Sequence, residues 1–129
     1  MIIADTSTWV AFLEGERGRD ADLLDRALDE GHVWMAPAVL AEVLSDPELP
    51  ADVAKSLCSV PLVELKDGFW ERAGKLRAKV LAKRRKARLG DALIAQTCID
   101  GGLLLIARDG DFRAFAEIES FDLVLSSVT

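Results

Sequence analysis

Alternation between two kinds of segment restricts this chain most. Five short apolar runs, MIIA (1–4), HVWMA (32–36), VPLVEL (60–65), LLLIA (103–107) and FDLVL (121–125), are separated by stretches whose apolar residues recur at helical spacing. Short apolar runs of this kind are strands buried on both faces, and strands alternating with helices build a parallel sheet with right-handed crossovers. TSTWVAFLEG is read as a helix with a glycine stop, and GRDADLLDRALDEG places Leu23, Leu24, Ala27 and Leu28 on one face and closes at Gly31. Pro37 opens PAVLAEVLSD, since proline is tolerated in a first helical turn. PADVAKSLCS, KDGFWERAGKLRAKVLAKRR, LGDALIAQTCIDGG and DGDFRAFAEI complete the helical set. The expected fold is α/β, a single domain over residues 1–129 whose parallel central sheet has about four to five strands and helices on both faces. A chain of 129 residues, half of them hydrophobic, suits one such core.

Open parallel sheets bind ligands at the carboxyl ends of their strands. Asp5 directly follows the first run and Asp109 closely follows the fourth, which puts both at one sheet edge. Asp5 is the only charged residue before Glu14, Glu42 the only one from Val33 through Ser45, and Asp91 stands alone between Arg88 and Asp100. Each has an ordinary explanation: Asp5 and Asp91 as helix caps or first-turn acids, Glu42 as an exposed point on a partly buried helix, Asp109 as a turn residue. Together these explanations weaken. Carboxylates converging among apolar neighbours repel one another and lose hydration, so they call for a positive neutraliser.

An oxygen-only ligand set favours a hard divalent cation, Mg²⁺ or Mn²⁺. Such ions generate a nucleophile from water and stabilise a leaving oxygen, so phosphodiesters can be cut without a protein nucleophile. Zinc is disfavoured by a single histidine, His32, and two distant cysteines, Cys58 and Cys98, read as reduced and structural. The net charge of -6 argues against nucleic-acid binding through overall charge. A local basic cluster nevertheless stands out, with Lys83, Arg84, Arg85, Lys86 and Arg88 leading into Asp91. It is either a solvated helix end or a phosphate-attracting patch beside the acids. Trp9, Trp34 and Trp70 sit in periodic apolar contexts and are read as core or dimer packing.

The N-terminus lacks a basic region before its apolar stretch, and no apolar run approaches the roughly 20 residues needed to span a bilayer. A cytoplasmic location without membrane association is expected. A response-regulator receiver would need an acidic pair after the first strand, and a haloacid-dehalogenase-type phosphatase an acid at position 7, where this chain has Ser7.

In order and spacing, IIADTSTWVAFL, PAVLAEVL, LGDALIAQT and LLLIARDGDF resemble the motifs of the PIN domain, and within it the VapC-like toxin ribonucleases of toxin–antitoxin pairs. The likeness runs over essentially the whole chain. It implies a metal-dependent endoribonuclease in which Asp5, Glu42, Asp91 and Asp109 are the catalytic acids. Asp5, Glu42 and Asp91 would hold Mg²⁺ or Mn²⁺, with Asp109 as the usual fourth metal acid, Asp111 as its possible substitute and Ser7 as hydrogen-bonding support. The chain departs from the pattern at Ala107, where the family commonly has threonine. The resemblance further implies an RNA substrate, a homodimer, and a small antitoxin that covers the acidic site. A PIN domain of RNA processing or decay, or an inactive PIN-like binding module, is the alternative reading.

Overall fold

The computed structural model describes residues 1–126. Seven helices follow the periodic segments: α1 (Thr6–Leu13), α2 (Arg19–Asp29), α3 (Pro37–Leu44), α4 (Ala51–Cys58), α5 (Phe69–Ala82), α6 (Leu89–Gly101) and α7 (Phe112–Ile118). Strands β1 (Ile2–Ala4), β2 (Leu104–Ala107) and β3 (Leu123–Leu125) form a parallel sheet in the order β1-β2-β3. Successive side chains of a strand point to opposite faces, and Leu105, Ile106 and Ala107 are all fully buried. The sheet is therefore covered on both sides. Helix α2 packs against all three strands, α1 and α6 against β2, and α7 against β3.

Among the described residues the sheet has three strands, fewer than the four to five expected. The runs HVWMA and VPLVEL continue its hydrogen bonding only as single parallel bridges, Ile2 to Val33 and Met35 to Leu62. Ile2 N–H donates to His32 O at 2.9 Å, Trp34 N–H to Ile2 O at 3.0 Å, and Val63 N–H to Met35 O at 2.9 Å. Prolines cut both runs short. Pro61 has no N–H to donate, and Pro37 turns the chain into α3 directly after Ala36.

Helix α5 ends at Ala82, three residues before the end of the predicted helix, so Lys83 to Arg88 form a loop that is exposed except at Ala87, which is buried in the core. Arg84 adopts a left-handed conformation (φ 57°), and the N–H groups of Arg84 and Arg85 bond back to Leu81 O and Val80 O. That is the Schellman closure, with arginine where glycine is usual. Of the tryptophans, Trp9 is buried and Trp34 partly exposed, while Trp70 is 63% exposed and so lies outside the core of this chain. Cys98 is buried, which pushes its thiol up to about 12, and Cys58 is exposed; both are free.

Candidate metal centre and its cleft

Asp5 ends β1 and starts α1. Its Oδ1 accepts from Thr8 N–H at 2.9 Å, capping the helix, and its Oδ2 accepts from Ser7 Oγ at 2.8 Å. The residue is 3% exposed. Burial pushes its carboxyl above the usual range, and hydrogen bonds from Thr8, Ser7 and the Arg108 N–H oppose this. Cap and site wall are thus the same residue.

Glu42 lies in the second turn of α3. Its Oε1 accepts from Thr6 Oγ1 at 2.6 Å, and its carboxylate rests on the backbone of α6: a Cβ built on Gly90 would sit 3.0 Å from Oε2. Asp91 follows in the first turn of α6. Its Oδ2 is buried without a hydrogen-bond partner. Burial, then Asp109, drive its carboxyl up to about 6, with Glu42 and Asp111 adding to the rise and Arg88 opposing it.

Past β2 the chain turns at Asp109, whose Oδ1 accepts from the Asp111 N–H at 2.8 Å. This local bond steadies Asp109 where Ala107, itself fully buried, offers no hydroxyl. Asp91, Asp109 and Asp111 each present an oxygen within 4.8 Å of the others. Asp111 also pairs with Lys86 Nζ at 3.0 Å. Asp5, Ser7, Glu42, Asp91 and Asp109 line one open cleft of about 540 Å³, together with Thr6, Glu16, Arg88 and Arg108. Four predicted acids thus share a cleft, while the tightest cluster is Asp91 with both Asp109 and Asp111. An orphaned buried carboxylate oxygen beside two further carboxylates, with no nitrogen or sulfur donor among them, fits a hard divalent cation.

Arg108, which lines the cleft, is held from behind by a residue that sequence reasoning missed. Asp20, fully buried on α2, accepts from Arg108 Nε and Nη2, both at 2.9 Å, and from Thr8 Oγ1 at 2.9 Å. Burial raises its carboxyl, but the bonds from Arg108, Ser126, Thr8 and the Ala21 N–H outweigh it and hold it at about 2. The available signal was helical spacing: Asp20 stands four residues before Leu24 and seven before Ala27, on the apolar stripe.

Residues 2–118 match the PIN domain family. The chain belongs to that family. Ribonuclease VapC11 of Mycobacterium tuberculosis is 29% identical over 125 residues, covering 92% of this chain and 93% of that protein. Among solved structures, the DNA-bound VapBC of Salmonella typhimurium superposes with a TM-score of 0.73 at 16% identity, covering 98% of each chain. VapBC2 from Rickettsia felis, bound to a DNA fragment from its promoter, superposes with a TM-score of 0.71 at 17% identity, covering 98% of this chain and 100% of that one. These likenesses extend over nearly the whole chain.

Around the PIN cleft, the predicted basic residues take different positions. Arg88 lines the cleft, Lys86 reaches Asp111, and Arg85 pairs with Glu117 on α7 at 3.0 Å. Lys83 and Arg84 are exposed at the end of α5. Among the described residues no helix is long and apolar enough to cross a membrane.

Proposed function

We propose that this PIN domain is a Mg²⁺- or Mn²⁺-dependent endoribonuclease acting as the toxin of a toxin–antitoxin pair. The observation that carries the reading is the meeting of the Asp91, Asp109 and Asp111 carboxylates within 4.8 Å at the carboxyl edge of the sheet, with one Asp91 oxygen buried and unpartnered. Asp91, Asp109 and Asp111 would hold the cation, and Asp5 lines the same cleft as Asp91 and Asp109. When bound, a divalent cation neutralises these charges and supplies the Lewis acidity that phosphodiester hydrolysis requires. The protein's part is orientation: Ser7 and Thr8 hold the Asp5 carboxylate, Thr6 holds Glu42, and the Asp109 turn is closed by its own bond to Asp111. Arg88 at the rim supplies positive charge for a phosphate entering an otherwise acidic cleft. The names of the similar proteins, a ribonuclease and VapBC pairs, support the same reading. A groove of about 260 Å³, lined by Val10, Leu13, Val43, Leu49, Pro50 and Val53 and edged by Glu14, Glu42 and Asp46, would seat the antitoxin. A homodimer and a cytoplasmic location belong to the same proposal.

Asp5→Asn and Asp91→Asn should each abolish divalent-metal-dependent RNA cleavage while circular dichroism remains that of the wild type. Wild-type cutting by either variant overturns the assignment. Sequencing the RNA ends produced on expression, with Asp5→Asn as control, identifies the RNA and the cleavage site.

A further inference from the structure

The Arg108–Asp20 pair lies beside the proposed metal site without belonging to it. Both Asp20 oxygens are taken by Arg108, one is also shared with Thr8, and Arg108 Nη2 reaches Arg17 O at 3.4 Å. Thr8 serves both sides, since its N–H caps Asp5 and its hydroxyl binds Asp20. Arg108 is joined to Asp109 by a peptide bond. Asp20 therefore ties the segment that carries Asp5 to the segment that carries Asp109.

The backbone is shaped around this pair. Gly18 stands at φ +153°, ψ 165°, a region essentially reserved for glycine. A Cβ there would lie 2.9 Å from Arg108 Nη2, 3.0 Å from Asp20 Oδ1 and 3.1 Å from Ser126 Oγ. The charge count of the cleft explains the need for a tie. Its lining includes the acids Asp5, Glu16, Glu42, Asp91 and Asp109 but only two cations, Arg88 and Arg108. Arginine stays charged under all ordinary conditions. A loose Arg108 would thus be an internal counter-ion within reach of Asp5 and Asp109, and it would compete with the metal ion.

We propose that Asp20 is a positioning residue for the cleft, holding the Arg108 guanidinium away from the metal-binding carboxylates while setting the spacing of Asp5 and Asp109. The inference rests on the metal-site reading above. It is tested by calorimetric titration of the full chain with Mn²⁺ alone, alongside thermal unfolding. Asp20→Asn, which frees the arginine, should weaken Mn²⁺ binding about tenfold. The double variant Asp20→Asn/Arg108→Gln, which removes the loose charge, should recover to within about threefold of the wild type even where its melting temperature is lower. A role in stability alone would leave the double variant as weak as the single one, and that result overturns the inference, as does wild-type affinity in Asp20→Asn. Should Asp20→Asn fail to fold, Arg108→Lys takes its place, keeping the charge and losing the two-pronged grip. If the wild type and Asp91→Asn bind Mn²⁺ alike, the metal-site reading itself fails and takes this inference with it.

Discussion

Asp91 shows how one partly buried carboxylate can weaken the fold that holds it. Its carboxyl is pushed up to about 6 by burial and by Asp109, while the unfolded chain has an ordinary value near 3.8. A raised carboxyl contributes stability that is fully present below the unfolded value and is lost as pH rises through the folded one. Asp91→Asn should therefore stabilise the metal-free protein by about 1–2 kcal/mol at pH 7.5, with the gain vanishing near pH 4. Denaturant unfolding at the two pH values checks this, and an equal effect at both would refute it. The acids at positions 5, 42 and 91 were visible in the sequence because each interrupts an apolar context, and Asp109 because it closely follows the fourth apolar run. Asp20 was not, because its neighbours Arg19 and Asp22 made it look like one more exposed helix charge. Arg108 likewise shows its importance only once α2 folds back over β2.

Helix α5 carries its information at its end. The left-handed Arg84 closes the helix at a cost of about 1 kcal/mol relative to glycine. Arg84→Gly should raise the unfolding free energy by about that amount, measurable in urea. In the same variant the salt dependence of RNA binding should fall by about one counterion if Arg84 contacts phosphate. Periodicity located the helices that bury one apolar stripe, while α6, buried over most of its surface, was marked by its glycine end. It could not locate the end of α5, since a left-handed arginine leaves no compositional mark. Nor could it separate a strand from a single bridge, because Val33, Met35 and Leu62 are apolar in either case and only the pairing of neighbouring segments decides.

Across the whole molecule, a net charge of -6 coexists with a basic loop placed against the acidic edge. Arg85 and Lys86 bridge the loop to α7 and Asp111, and Arg88 enters the cleft. Reversing Lys83, Arg84 and Arg85 to glutamate should weaken RNA binding at low salt and flatten its salt dependence. Unchanged affinity and slope would remove the loop from the substrate path. The sheet has a consequence of another kind. Beyond β1 it thins to two single bridges, the outer one beside Pro61, so that flank offers a neighbouring molecule little free backbone to pair with. A short, proline-bearing edge of this kind disfavours strand addition, so contacts between copies at exposed Leu62 are expected to be made by side chains.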